Sequence, residues 1–163
     1  MLFLANKDSM HIEIREAQLS DLDQIVRFQI EMAWETEQYR LDPPTVLKGV
    51  ETALSDHQLG TYYVAVVGNK VAGSLLTTYE WSDWRNGMVL WIQSVYIDSP
   101  YRKRGIYASL YSYIQTIVKS DETLKGIRLY VDESNTTARE VYSRLGMNGE
   151  HYRVFEWMKV SDN

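Results

Sequence analysis

The triplet Arg102-Lys103-Arg104, followed by Gly105, stands where an alternating, strand-like rhythm gives way to a helical one. At such a junction the first backbone N–H groups of the helix have no internal partner, and the helix dipole is positive. The position therefore favours an anion. Gly105 lets the backbone come close to a phosphate because no side chain intervenes, and three adjacent cations add opposite charge at short range. A diphosphate suits such a loop. The cluster is local, since the chain of 163 residues has a net charge of -5.

A second group of residues is acidic and aromatic. Glu31, Glu35, Glu37 and Asp42 face a single Arg40 in their stretch, and Trp34, Trp81, Trp84 and Trp91 stand beside acidic segments. Aromatic faces next to carboxylates suit a cationic amine through cation-π and ionic contacts. Glu35, Trp81, Asp83 and Trp84 are the candidates for holding one. There is no cysteine, which excludes disulfides, thiolate metal sites and a thiol nucleophile. His11, His57 and His151 lack the spacing of a metal pair, so no metal is expected. The acidic balance argues against a nucleic-acid partner, which needs a broad basic face.

These residues must be positioned by a small set of elements. Ile12 and Ile14 give a short strand over His11 to Arg15, and Ser20-Asp21-Leu22-Asp23 reads as a helix start with Ser20 as cap. A second helix is expected near Thr45, after Pro43 and Pro44. From Thr61 the period is two: Tyr62 to Val67, a turn at Gly68-Asn69, and Val71 to Tyr79 read as a hairpin. A polar stretch over 80–87 leads to a strand from Met88 to Asp98. Ile106, Leu110, Ile114, Ile117 and Val118 mark one face of the next helix. A strand at Ile127 to Val131, a helix at Thr137 to Leu145 stopped by Gly146, and a last strand at Arg153 to Val160 complete the chain. The order describes a mixed sheet with helices packed on it, an α/β (α+β) chain of one domain over residues 1–163. Residues 1–10 read as an extension outside the core, with Met10 an alternative start. No apolar run is long enough to span a membrane, and the protein is expected in the cytoplasm.

Arg102-Lys103-Arg104-Gly105-Ile106-Tyr107, after the strand ending Val95-Tyr96-Ile97, resembles the acyl-CoA loop of the GNAT superfamily of N-acetyltransferases, with pattern Gln/Arg-x-x-Gly-x-Gly/Ala. Tyr107 departs from the small residue of that pattern. The segment "NTTAREVYSRLGM", residues 135–147, is similar to the family's Asn-x-x-Ala-x-x-x-Tyr-x-x-x-Gly-Phe block, with Asn135, Ala138, Tyr142 and Gly146 in place. Two blocks in the right order are more specific than one glycine loop. The resemblance implies a largely antiparallel mixed sheet flanked by helices.

It also implies a site. Acetyl-CoA would be the co-substrate, with its pyrophosphate held across Arg102, Lys103, Arg104, Gly105, Ile106, Tyr107 and Ala108, and its pantetheine arm met by Asn135 and by Val95, Tyr96 and Ile97. Tyr142 would be the general acid that protonates the departing thiolate. A lysine-like amine is almost wholly protonated at neutral pH, so a base is needed as well. Gln93 stands where many family members carry a glutamate, and Glu80, at the end of a neighbouring strand, is the substitute, acting directly or through water. Asp83 and Glu35 follow. Without a cysteine there is no acyl-cysteine route, and direct attack in a ternary complex is the simpler path.

The expected function is acetyl transfer from acetyl-CoA to a primary amine of a small cationic molecule. The alternative is a non-catalytic acyl-CoA-binding sensor or scaffold, suggested by Gln93 and Tyr107; a plain interaction domain with no CoA affinity comes third. No membrane partner is expected, and exposed strand edges make a homodimer plausible.

Overall fold

The computed structural model describes residues 10–159. Residues 1–9 of the extension expected over 1–10, and the end of the last expected strand, Val160, lie outside them. Two units divide the chain, Met1–Tyr130 and Val131–Asn163.

In the first unit, β1 (Ile12–Glu16), β2 (Thr61–Val67), β3 (Lys70–Ser82), β4 (Gly87–Ile97) and β5 (Leu124–Leu129) form one sheet in sequence order. The first three pairings are antiparallel and β4 with β5 is parallel. The parallel step is made by α3 (Ile106–Ser120), which carries the chain across between β4 and β5. α1 (Leu22–Glu37) and α2 (Pro43–Ser55) precede the hairpins. This is the expected sheet class, mixed and largely antiparallel with helices packed on it.

Side-chain alternation divides the sheet into two faces. Tyr62 and Val64 of β2 point to α1 and α2, where they pack with Ile25 and Val50. Tyr63 points the other way and meets Tyr113 of α3, ring centroids 5.7 Å apart. Leu110 and Ile114 of α3 are fully buried, each worth roughly 1.5–3 kcal/mol against exposure.

Several local readings differ from the sequence expectation; the strand expected over Ile127 to Val131 is β5 at Leu124–Leu129, which starts earlier to pair with β4 from Met88 and stops before Tyr130. Ser20 does not cap α1; a short 3-10 turn, Leu19–Asp21, precedes it. Asp21 sits at the cap and its carboxylate bonds back to the Gln18 amide at 2.8 Å and to Arg15 at 2.7 and 3.0 Å. α2 begins earlier, at Pro43, because Asp42 accepts from the Thr45 amide at 3.0 Å. The polar stretch 80–87 is half strand: β3 continues through Ser82 and β4 starts at Gly87, leaving a four-residue turn in which Asn86 takes φ 47°.

The second unit holds α4 (Thr136–Arg144), capped by the Asn135 side chain, which accepts from the Ala138 amide at 3.0 Å. Gly146, at φ 84°, follows the helix as expected. The strand expected from Arg153 is absent among the described residues, where 153–159 carry no regular structure and Phe155 and Trp157 are exposed. A strand needs a partner to satisfy its backbone, and α4 is the regular element of this unit.

Candidate active site

The last rungs of β4 are irregular. Ser74 of β3 faces Tyr96 while Leu76 faces Gln93, so two residues of β4, Ser94 and Val95, oppose Leu75 alone. Ser94 takes φ 51° to make this bulge. Beside the bulge, Gly73 lets the end of β4 approach closely: a Cβ there would lie 2.6 Å from Ile97 Cδ1 and 2.9 Å from the Tyr96 carbonyl oxygen. On the other side of β4, the ladder to β5 ends at Ile92 opposite Leu129. From Gln93 to Ile97 that edge of β4 has no strand beside it among the described residues. The Ile97 carbonyl at its end accepts from Arg102, and an edge without a neighbouring strand suits an extended chain that itself carries amides, as an added strand would.

The chain then passes through a 3-10 turn, Ser99–Tyr101, into the cationic loop. Lys103 and Gly105 adopt positive φ, 61° and 81°. A left-handed residue on either side of Arg104 turns successive amides toward one side, as in an anion-binding nest. Gly105 is the cap of α3, and the first amide bonded back within the helix is that of Ser109, to the Gly105 carbonyl at 3.0 Å. The amides of Ile106, Tyr107 and Ala108 are thus the head of the helix dipole. Nothing stands within 4 Å of a Cβ placed at Gly105, so the loop is open to a ligand on that side. Lys103 and Arg104 are exposed.

Arg102 is arranged differently from its two neighbours. Its Nη2 donates to Glu35 at 2.7 Å, its Nε donates to the Ile97 carbonyl at 2.8 Å, and its guanidinium lies 5.2 Å over the Tyr96 ring. The Tyr96 hydroxyl is 2.9 Å from both Glu31 and Glu35. Burial, followed by these two carboxylates, pushes the Tyr96 phenol up from its ordinary range. Arg27 bonds Glu31 at 2.8 Å and Asp98 at 2.7 Å. The network fastens the bulged end of β4 and the start of the loop to α1. Glu35, expected to hold an acceptor, is therefore already ion-paired.

On the α1 and α2 face, the next rungs of the sheet carry Thr78, Gln93, Glu80, Trp91 and Arg128. Gln93 Nε2 donates to Thr78 Oγ1 at 2.6 Å. Glu80 accepts from the Trp91 indole N–H at one carboxylate oxygen and from Arg128 at the other. Trp91 also lies against Tyr130, ring centroids 4.5 Å apart. Trp81 alternates to the opposite face from Glu80. Asp83 and Trp84 sit in the turn beyond, with the Asp83 carboxylate accepting from the Trp84 amide at 2.9 Å. From the Leu76–Gln93 rung to the Trp81–Met88 rung is five residues, about 17 Å at strand rise. Glu80, one rung before Trp81, is about 13 Å from the Leu76–Gln93 rung by the same measure and reaches back to Trp91 through its side chain, while Trp81, Asp83 and Trp84 stand at the far end of the hairpin.

Tyr142 and Asn135 belong to the second unit. Tyr142 is half-buried on α4, and its carbonyl accepts from the Met147 amide at 3.0 Å. Sequence reasoning missed Arg128 and the part played by Trp91. Neither has a local signal, because the contact that joins them to Glu80 spans three strands.

The bulged β4, its parting from β5 and the glycine-headed α3 define the candidate site, and comparison with known proteins names the family. The Acetyltransferase (GNAT) family matches residues 18–147. The crystal structure of a possible acetyltransferase from Clostridium difficile 630 is 45% identical, with TM-score 0.85 over 92% of this chain and 99% of that one. Two more distant structures share the fold. One is an aminoglycoside acetyltransferase, meta-AAC0020, from an uncultured soil metagenomic sample in complex with sisomicin, at 15% identity, TM-score 0.72, and 92% and 97% coverage. The other is a ribosomal-protein-alanine N-acetyltransferase from Brucella melitensis biovar Abortus 2308, at 12% identity, TM-score 0.74, and 91% and 100% coverage. No curated protein matches the sequence. The chain belongs to the GNAT acetyltransferase family and is an N-acetyltransferase.

Proposed function

We propose that the protein transfers an acetyl group from acetyl-CoA to the primary amine of a small cationic molecule, by direct attack in a ternary complex. The observation that best supports this is the juxtaposition of the open α3 head, with Lys103 and Gly105 both left-handed, and the uncovered Gln93–Ile97 edge of β4. The first suits a pyrophosphate and the second suits a pantetheine arm with its two amides.

In this reading acetyl-CoA supplies an activated acyl group and a thiol leaving group. The amides of Lys103 to Ala108 hold the diphosphate, Lys103 and Arg104 add charge, and Arg102 positions the loop through Glu35. Val95, Tyr96 and Ile97 offer backbone groups to the arm, and Asn135 makes a further contact. Glu80 takes the proton from the incoming ammonium, directly or through a water. Its two oxygens each accept one protein hydrogen bond, which leaves lone pairs on both. Tyr142 gives its hydroxyl proton to the sulfur as it leaves. The N–C bond forms as the C–S bond breaks, and the products are an N-acetyl amine, a thiol and one released proton. Asp83, Trp81 and Trp84 are left for an acceptor long enough to reach the hairpin end.

The test is CoA thiol release from acetyl-CoA in the presence of pooled amines. The protein has no cysteine, so every thiol detected comes from the co-substrate. Amine-dependent release supports the reading. Absence of release with every pool, in a preparation shown by calorimetry to bind acetyl-CoA, counts against it.

A further inference from the structure

The Glu80–Arg128 pair joins two strands that are not neighbours in the sheet. Arg128 on β5 and Glu80 on β3 reach each other across β4, over the face that carries Trp91. Their side chains are about one-third exposed, 33% and 36%. α3 packs on β5 from the opposite face, whereas α1 and α2 cover β2 and the parts of β3 and β4 nearer the bulge. The pair is thus partly desolvated by the sheet and by the Trp91 and Tyr130 rings, yet open on one side.

Its charge inventory is specific. Glu31, Glu35 and Asp98 are each held by Arg27 or Arg102, and Glu80 is neutralised by Arg128. A simple polycation thus finds each of these four carboxylates already paired. Arg128, in contrast, gives one of its five N–H donors to Glu80; no other acceptor bonds it among the described residues. A guanidinium with an open fork is suited to a planar, bidentate carboxylate. Glu80 keeps lone pairs for an ammonium.

From this we infer that the acceptor is a zwitterion: a small amine that carries a carboxylate, in the manner of an amino acid, with the ammonium against Glu80 and the carboxylate against Arg128. Gln93, the first residue of the uncovered β4 edge, shares this face with Trp91 and with Glu80, whose rung lies four residues along the strand, about 13 Å at strand rise, and the Trp91 ring lies between them. The inference rests on the acetyl-transfer reading above and adds to it the substrate class.

The experiment compares matched acceptors on the whole protein by thiol release: a panel of amino acids, their carboxamides and the corresponding decarboxylated amines. The expected result is a kcat/KM for at least one acid that exceeds its carboxamide and its decarboxylated amine by tenfold or more. Arg128→Gln should bring that acid-to-amide ratio toward one, and Arg128→Lys should restore part of it. The wild-type comparison needs no variant, so it stands even if Arg128→Gln folds poorly. Turnover of decarboxylated amines equal to or faster than that of the acids overturns the zwitterion inference and leaves acetyl transfer intact. A ratio unchanged in a folded Arg128→Gln also overturns it. No turnover of any amine overturns both.

Discussion

Arg102 Nη2 lies 2.7 Å from the Glu35 carboxylate, joining the start of the cationic loop to the last turns of α1. The loop reads as three equivalent cations in sequence, but this one is turned toward the helix while Lys103 and Arg104 stay exposed. Both partners are around two-fifths exposed, 40% and 42%, so their coupling is that of a partly solvated pair, about 0.5–1 kcal/mol. A double-mutant cycle on thermal stability with Arg102→Gln and Glu35→Gln should return that coupling. Additive single effects would mean that the pair is not maintained in solution. Arg102→Gln should also raise the KM for acetyl-CoA by only a few fold, since its role is to position the loop.

Gly105 separates backbone demand from ligand demand. Its φ of 81° disfavours a side chain, yet nothing lies within 4 Å of a Cβ there. Gly105→Ala should cost about 1–2 kcal/mol of stability from the left-handed conformation alone, and Gly105→Asn less, because asparagine tolerates that region. The KM for acetyl-CoA should follow the opposite order, rising more with the bulkier Asn if a diphosphate packs on this backbone. Melting curves and acetyl-CoA titrations of the two variants test it. Parallel ordering of the two measures would remove the loop from the binding site.

How far the sequence could be read depends on the range of the interactions. The loop, α3 and Gly146 were legible because a left-handed glycine leaves a signal in its own segment. The β4 bulge was not, since Ser94 takes φ 51° without a glycine, and the irregular register that marks it is a relation between two strands. Asp21 stands at the cap of α1 in place of Ser20, and its carboxylate is held by Arg15, a β1 residue, a partner with no signal in the helix's own segment. Trp91, Glu80 and Arg128 are far apart in sequence, and only sheet register brings them together. The segment from Arg153 has strand composition, but composition does not supply a pairing partner.

Asp21 gives an acid-side prediction. Burial pushes its carboxyl up, but hydrogen bonds from Arg15 and the Gln18 amide outweigh that and hold it below the usual carboxylate range. A folded-state value below the unfolded one means that the stabilisation is present above the unfolded value, near 3.9, and is lost as pH falls through the lower folded value. The wild-type melting temperature should therefore drop steeply below about pH 4. Asp21→Asn should be less stable near neutrality by about 1–3 kcal/mol, the scale of a lost charged hydrogen bond, with a shallower acid slope. Melting curves from pH 2 to 7 would reveal this; identical slopes in the two proteins would assign the acid sensitivity to other carboxylates.

Tyr142 carries the remaining chemical assignment, the proton given to the leaving sulfur. Phenylalanine keeps the ring of this half-buried α4 residue and deletes only the hydroxyl, so packing and mechanism can be told apart. General acid catalysis is worth roughly 10²–10⁴ in rate. Tyr142→Phe should lower kcat by about 10²-fold or more on that scale, while the KM values for acetyl-CoA and for the amine change little. Such a pattern marks a group that acts in the transition state and contributes little to ground-state binding. A rise in KM for acetyl-CoA with kcat preserved would make the hydroxyl a binding contact and require another donor for the thiolate. Loss of both with a lowered melting temperature would make Tyr142 a packing residue of α4.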